Sequence, residues 1–203
     1  MDCGRGAPAM SGDGCPPLGG AIRADRAPAR GRGMARITLV LGGARSGKSR
    51  HAEGLVEALP APWAYMATAQ AFDAEMEARI ALHRDRRGAG WQTFDTPLEL
   101  AEALDGLPPK MPALVDCLTL WLTNHMLAEH DVEAEAARLV AAVARRPAPV
   151  VLVANEVGLG IVPDNALARR FRDAAGRLNQ QLADKADRVV FLVAGLPMTV
   201  KDQ

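Results

Sequence analysis

Residues 37–49 read Ile-Thr-Leu-Val-Leu-Gly-Gly-Ala-Arg-Ser-Gly-Lys-Ser. The first five residues have high β-propensity and most are apolar, which predicts a buried strand. The next eight follow the phosphate-binding pattern of a glycine, four residues and then Gly-Lys-Ser. Glycines let such a loop curl until consecutive N–H groups face phosphate oxygens, and the N-terminus of the following helix adds to that field. Because a helix carrying Ala52, Leu55 and Leu59 is expected next, we predict a nucleoside triphosphate site here, in preference to a glycine-rich turn without a ligand.

The side chains of this loop have separate expected roles. Lys48 should reach the β- and γ-phosphates, and the hydroxyl of Ser49 should bind Mg²⁺. We therefore expect Lys48 to be catalytic and Ser49 to be a metal ligand. The nucleotide-binding residues predicted in this loop are Gly42, Gly43, Ala44, Arg45, Ser46, Gly47, Lys48 and Ser49.

The rest of the chain alternates between short apolar runs and helical stretches. Strands are predicted at residues 37–41, 63–67, 113–116, 150–154 and 189–193. The clearest helix is predicted over residues 166–183, where an apolar stripe recurs at helical spacing. Nearly continuous apolar runs are typical of strands covered on both faces, and their alternation with helices predicts a parallel, doubly wound α/β sheet. Ligands of such sheets bind at the carboxyl ends of the strands.

Two acidic residues follow predicted strands at that edge of the sheet. Asp116 ends the strand at 113–116, and Glu156 comes two residues after the strand at 150–154. Either carboxylate could hold Mg²⁺, directly or through water, or orient an attacking hydroxyl. An acidic cap that begins the next helix is an equally good interpretation of Asp116 taken alone.

A basic cluster surrounds one of the four histidines. Residues 73–87 predict a helix in which Arg79 lies one turn before His83 and Arg87 one turn after it. Cations near an imidazole favour its neutral form, and a neutral ring nitrogen is the nucleophile that attack on phosphorus requires. From spacing alone, a solvated basic face with an incidental histidine remains an open alternative. The other three histidines lack comparable basic surroundings in the sequence.

Composition excludes several classes of protein. The 203-residue chain has 24 Lys and Arg against 24 Asp and Glu, so it lacks the excess positive charge of a general nucleic-acid binder. No stretch approaches the roughly 20 apolar residues of a membrane span. Three scattered cysteines are too few for a disulfide framework or a zinc site. A soluble, cytoplasmic globular protein is therefore expected.

The composition also changes along the chain. Residues 1–33 are rich in Gly, Pro and Arg and poor in large apolar side chains, so little burial could offset the entropy of ordering them. We expect these residues to form a disordered N-terminal extension without a catalytic role. Residues 34–203 are expected to form a single P-loop α/β domain.

Segments of this expected domain resemble a known family. The P-loop runs into Arg50-His51-Ala52-Glu53, and further matching segments lie, in order, at residues 65–70, 75–84, 91–93, 115–124, 153–163 and 169–180. The whole pattern, over residues 36 to 201, resembles the bifunctional adenosylcobinamide kinase/adenosylcobinamide-phosphate guanylyltransferases of cobalamin biosynthesis. The P-loop is shared by many families. The pair His83-Arg84 and the Asn-Glu-Val-Gly at 155–158 are more specific.

The resemblance implies two reactions on one protein. ATP or GTP phosphorylates the aminopropanol hydroxyl of adenosylcobinamide, and GTP then transfers GMP to that phosphate, which gives adenosylcobinamide-GDP and pyrophosphate. In this family the second step passes through a GMP–histidine intermediate, which maps onto His83. It further implies a RecA-like P-loop fold with a mostly parallel sheet flanked by helices, and a homotrimer. The nucleotide contacts that it implies outside the P-loop are Thr68, Arg84, Arg86, Arg87, Asp95 and Asp116.

The sequence departs from the family pattern at two positions that follow matched segments. Asp95 stands where the family has Glu, which keeps the charge but shortens its reach. Gly88 stands where proline is common, which leaves the chain after His83 less restricted. Neither change removes a predicted catalytic group.

Two other classes of function remain open from the sequence. A P-loop kinase for another small hydroxylated substrate would use Lys48 and Asp116 but would form no covalent nucleotide on His83. A regulatory nucleotide-binding module would show slow hydrolysis and no acceptor-dependent turnover. A family member that has kept only the guanylyltransferase is a third possibility, and the Gly-Lys-Ser motif speaks against it only weakly because GTP binding needs the loop too.

Overall fold

A computed structural model describes residues 35–70 and 88–203 of the chain. Its strands form one seven-stranded sheet in the order β3-β2-β4-β5-β1-β6-β7. The first six strands are parallel, and β7 pairs antiparallel with β6. The strands are β1 (Ile37–Gly42), β2 (Trp63–Ala67), β3 (Trp91–Asp95), β4 (Ala113–Asp116), β5 (Val150–Asn155), β6 (Arg188–Val193) and β7 (Leu196–Asp202).

Helices cover both faces of this sheet. In the described ranges they are α1 (Lys48–Glu57), α2 (Leu100–Gly106), α3 (Leu118–Leu127), α4 (Val132–Arg145) and α5 (Ala166–Lys185). On one face, which we call the α1 face, Val40, Leu114 and Val153 pack with Ala52 and Val56 of α1. The neighbouring strand residues point to the opposite face, where the larger core contains side chains of α2 to α5. Burial on both faces explains the nearly continuous apolar runs of the strands.

The five predicted strands and the long predicted helix are confirmed, with small changes at their ends. The helix extends to Lys185 and begins where the Asn165 side chain accepts hydrogen bonds from the N–H groups of Leu167 and Ala168. The predicted parallel, doubly wound sheet is also confirmed, apart from its last strand. The predicted helix over 73–87 and the extension over 1–33 lie outside the described residues. Within the described part of the chain, no helix has the length and apolar character that crossing a membrane requires.

Two strands, β3 and β7, were missed by the sequence analysis. Most residues of both strands are exposed or half-buried, because each strand lies at an edge of the sheet. Strand β7 also contains Pro197, and proline within an apolar run argues against a strand unless that strand is an edge. The periodicity that identifies buried strands is therefore weak in both segments.

A buried arginine joins α2 to the proline-containing loop before β4. Arg146 is 4% exposed, and its guanidinium donates hydrogen bonds to the carbonyl oxygens of Leu104 (2.7 Å), Pro108 (3.2 Å) and Met111 (2.7 Å). These carbonyls lie at or beyond the C-terminal end of α2, where a cation is electrostatically favoured. Arg146 therefore supplies donors that this connection cannot obtain from a helix or a sheet.

A pair of histidines lies at the junction of α3 and α4. His125 is 2% exposed, and its Nδ1 lies 3.0 Å from Nδ1 of His130, so one of these two nitrogens must carry the shared proton. Burial lowers the pKa of His125, and this effect outweighs the opposing hydrogen bond to the carbonyl of Leu98 and the opposing charge of Glu135. The fold therefore favours neutral His125.

Candidate functional site

The P-loop connects the end of β1 to the start of α1, as its sequence pattern predicts. Gly47 at the helix N-terminus has φ +91°, and Arg45 has φ +55°, so the backbone twice enters the left-handed region while it curls. Nζ of Lys48 donates a hydrogen bond to the carbonyl oxygen of Gly43 at 2.8 Å, and the residue is 8% exposed. The ammonium group thus lies within the curl, where a phosphate oxygen can take the place of that carbonyl as its acceptor.

Neighbouring strands hold the loop in position. The N–H of Glu156, directly after β5, donates to the carbonyl oxygen of Gly42 at 3.0 Å, and the N–H of Gly195 donates to that of Ser46 at 3.0 Å. Gly42 is so closely packed that a Cβ there would lie 2.8 Å from the carbonyl oxygen of Leu192 on β6. The first glycine of the motif is therefore required by its close contact with β6.

Two of the predicted acidic residues lie in one row across three strands. Asp116 of β4 is the register partner of Ala67 on β2, which in turn is the partner of Asp95 on β3. Both carboxylates belong to the α1 face, because they alternate with residues of the opposite core. With neighbouring strands about 4.8 Å apart, their Cα atoms are separated by about 10 Å. The structure therefore brings Asp95 and Asp116 to the edge of the sheet from which the P-loop rises.

These residues fit a magnesium ion held mainly by a bound nucleotide. Ser49 lies in the first turn of α1, and α1 packs against β4, which ends in Asp116 on the same face. Among the residues that the structure describes, no cluster of three His, Cys, Asp or Glu side chains could hold a metal alone. Mg²⁺ is commonly bound through one or two protein oxygens together with phosphates and water.

Glu156, the second acidic candidate, has a local partner. Its Oε1 accepts a hydrogen bond from the N–H of Gly158 at 2.5 Å, and this contact closes the first turn of the loop after β5. A Cβ on Gly158 would lie 2.9 Å from the same Oε1 atom. Glu156 thus stabilises the loop after β5, and a role in metal binding stays a prediction.

Thr68 is fully buried, and its hydroxyl is engaged by the protein. Its Oγ1 donates to the carbonyl oxygen of Cys117 at 2.7 Å and accepts from the N–H of Cys117 at 2.8 Å. Its own carbonyl oxygen accepts a hydrogen bond from Nδ2 of Asn124 at 2.9 Å. Thr68 therefore joins the ends of β2 and β4 directly behind Asp116, and its predicted contact with the nucleotide stays a prediction.

Cys117, which follows Asp116, is a buried thiol at this junction. Burial and, to a smaller extent, the negative charge of Asp116 raise the pKa of Cys117 to about 11. The thiolate form that makes cysteine a nucleophile is therefore scarce at neutral pH. The buried thiol of Cys117 is therefore protonated and a poor nucleophile at neutral pH.

The predicted nucleophile His83 and its neighbours Arg84, Arg86 and Arg87 lie outside the described residues. Another histidine, His51, lies in α1 close to the P-loop. Its backbone N–H donates a hydrogen bond to the carbonyl oxygen of Gly47. Burial lowers the pKa of His51, and the positive charge of Arg188 on β6 acts in the same direction. Arg188 is far from His51 in the chain, so sequence spacing could not reveal this influence.

Together, a P-loop between a central parallel strand and a helix, and an acidic side chain at the end of a nearby strand, define a P-loop nucleotide-binding protein with a mostly parallel sheet flanked by helices. The family can also be stated. Residues 38–200 match the model of the family described as cobinamide kinase / cobinamide phosphate guanyltransferase, and the chain belongs to this family.

Relatives match over nearly their whole length. The bifunctional adenosylcobalamin biosynthesis protein CobP of Pseudomonas aeruginosa is 48% identical over 168 residues, which cover 81% of this chain and 97% of that protein. The bifunctional adenosylcobalamin biosynthesis protein CobU of Salmonella typhimurium is 45% identical, with coverage of 81% and 99%. Among solved structures, the RadB recombinase aligns with 78% of this chain and 76% of its own, at 19% identity and a TM-score of 0.48.

Proposed function

We propose that this protein carries out two successive reactions on a cobinamide substrate. It phosphorylates the aminopropanol hydroxyl of adenosylcobinamide with ATP or GTP, and it then transfers GMP from GTP to that phosphate. The products are adenosylcobinamide-GDP and pyrophosphate. The observation that carries this proposal is the match of residues 38–200 to a family whose description includes both activities, in a chain whose P-loop is fully formed.

In the kinase reaction, the oxygen of the substrate hydroxyl attacks the γ-phosphorus and its proton is released to water. The bond from the γ-phosphorus to the bridging oxygen breaks, so that the nucleoside diphosphate leaves. The N–H groups of the P-loop and Nζ of Lys48 neutralise charge on the transferred group. Ser49 and Asp116 are the side chains that would hold Mg²⁺, which supplies further charge neutralisation on the β- and γ-phosphates. Asp95, about 10 Å from Asp116 along the same row, extends the polar edge toward β3.

In the guanylyltransferase reaction, a neutral ring nitrogen of His83 attacks the α-phosphorus of GTP and pyrophosphate leaves. An oxygen of the substrate phosphate then attacks the same phosphorus and releases the histidine. Arg84, Arg86 and Arg87 would neutralise the triphosphate oxygens during these steps. Attack at the γ-phosphorus and at the α-phosphorus requires different placements, so the nucleotide or the segment with His83 must shift between the two reactions.

We further propose that the protein acts in the cytoplasm as a homotrimer, as the family resemblance implies. The exposed side of β7 supports association between subunits. Leu196, Met198 and Val200 alternate along this edge strand and are 58%, 53% and 67% exposed. Such a row of apolar side chains on an unpaired edge is typical of a surface that another chain covers.

The test is intact-protein mass spectrometry after incubation with GTP and Mg²⁺ but no cobinamide. We expect an acid-labile GMP adduct on the parent protein and on His51→Ala, and none on His83→Ala. His51→Ala is the matched variant because His51 is the histidine beside the P-loop whose pKa is lowered. An adduct lost from His51→Ala and kept in His83→Ala would exchange the two assignments. An unmodified parent protein that binds GTP would instead favour a kinase without guanylyltransferase activity.

A further inference from the structure

Asp116 receives a hydrogen bond from the only tyrosine of the chain. Oη of Tyr65 on β2 donates to Oδ2 of Asp116 at 3.2 Å. The register explains this contact, since Tyr65 and Asp116 lie on the same face of adjacent strands and Ala67 is the direct partner of Asp116. The donor therefore approaches the carboxylate from the neighbouring strand β2.

The tyrosine ring is itself held firmly. Tyr65 is 5% exposed and belongs to the core of the α1 face. The ring of Trp91 meets it edge-on, with centroids 6.0 Å apart and planes at 83°. A ring packed in this way fixes the position of its hydroxyl, because a change in χ1 or χ2 would bring the ring into contact with closely packed neighbours.

The peptide that follows Asp116 is held by Thr68, the residue directly after β2. Three residues after Tyr65, the hydroxyl of Thr68 bonds both the N–H and the carbonyl of Cys117. Strand β2 and the residue that follows it thus hold the acidic residue at two points, one on its carboxylate and one on the peptide after it.

We propose that Tyr65 is a positioning residue for the Asp116 carboxylate. By holding Oδ2, its hydroxyl sets the plane of the carboxylate and presents the remaining oxygen to the Mg²⁺–nucleotide complex. This inference rests on the proposed function only for the role of Asp116 as a metal ligand, and it makes no use of cobinamide. Groups that orient a metal ligand in this way typically contribute about 10- to 100-fold to metal affinity.

The first test is Tyr65→Phe, which removes the hydroxyl and keeps the ring and its contact with Trp91. Binding is measured with a GTP analogue whose α,β-bridge is a methylene group, so that GMP cannot be transferred. We expect the Mg²⁺ concentration for half-maximal binding to rise by about tenfold or more, while affinity for the analogue without Mg²⁺ stays unchanged. Thr123→Val is the matched control, because its hydroxyl bonds the carbonyl of Thr119 within α3 and has no contact with Asp116.

The second test uses the fact that the chain contains one tyrosine. Incorporation of 3-fluorotyrosine places a single fluorine label on the ring that contacts Asp116. We expect its ¹⁹F resonance to move when Mg²⁺ is added to the complex with the analogue, and to stay in place in Asp116→Asn. This readout reports the surroundings of the ring that bonds Asp116, and it does not depend on catalytic activity.

The inference is overturned if Tyr65→Phe requires the same Mg²⁺ concentration as the parent protein. It is also overturned if the ¹⁹F chemical shift stays unchanged under conditions in which Mg²⁺ binding has been measured. A protein that bound no Mg²⁺–nucleotide complex at all would contradict both this inference and the proposed function. A protein that showed the Mg²⁺ effects but formed no GMP adduct would contradict only the guanylyltransferase part of the proposal. The two sets of results are therefore distinguishable.

Discussion

Replacement of Gly42 by alanine tests whether close contact with β6 makes this glycine necessary. A Cβ at Gly42 would lie 2.6 Å from Oγ of Ser46, 2.8 Å from the carbonyl oxygen of Leu192 and 3.2 Å from Cβ of Leu192. The hydroxyl of Ser46 can rotate away, but the carbonyl belongs to the backbone of a central strand. We therefore expect Gly42→Ala to displace the start of the P-loop from β6.

The size of the effect follows from the cost of overpacking a core, about 1–3 kcal/mol for an added methyl or methylene group. For a domain of this length, each kcal/mol changes the melting temperature by about 2–4 °C. Gly42→Ala should therefore melt about 2–12 °C below the parent protein. Its affinity for GTP should fall by about tenfold or more, because the N–H groups that face the phosphates move together with the loop.

Gly43→Ala is the matched control, since it adds the same methyl group one residue further along the loop. A Cβ at Gly43 would meet no atom within 4 Å, and Gly43 is not among the glycines with positive φ. Its free energy of unfolding should stay within about 0.5 kcal/mol of the parent value. Thermal unfolding of all three proteins without nucleotide, followed by titration with GTP, measures both effects. Equal melting temperatures for the two alanine variants would refute the reasoning.

Two further predictions concern stability away from the P-loop. Because burial lowers the pKa of His125, the unfolded chain takes up its proton first as the pH falls below about 6.5. The free energy of unfolding, measured in urea, should therefore decrease from pH 7 toward pH 5, and His125→Asn should flatten this dependence; an unchanged slope would contradict the prediction. Arg146→Met leaves buried carbonyl oxygens without donors, so it should cost about 3 kcal/mol, or about 6–12 °C in melting temperature. Arg145→Met, which removes only an exposed ion pair with Asp105, should cost less than about 1 kcal/mol, and equal losses in the two variants would show that the buried contacts are unimportant.

The central part of the fold was predictable because its signals are local. The strand before the P-loop, the loop and the helix after it follow from an apolar run, from glycine spacing and from Gly-Lys-Ser. The edge strands β3 and β7 were not predictable in this way, since strands with one unpaired side and little burial need no regular apolar pattern. Their places depend on pairing with β2 and β6, which are set by the rest of the sheet.

The sequence by itself determined the type of nucleotide site, the parallel sheet around it and, through its matching segments, the family. The position of Lys48 inside the loop was predictable because the motif places it five residues after Gly43, whose carbonyl oxygen it contacts. Only the tertiary structure decided that Tyr65 holds the Asp116 carboxylate, that the Thr68 hydroxyl is engaged by Cys117, and that Asp95 and Asp116 share one row. These relations join residues from different strands, and strand register brings them together, which spacing along the chain does not encode.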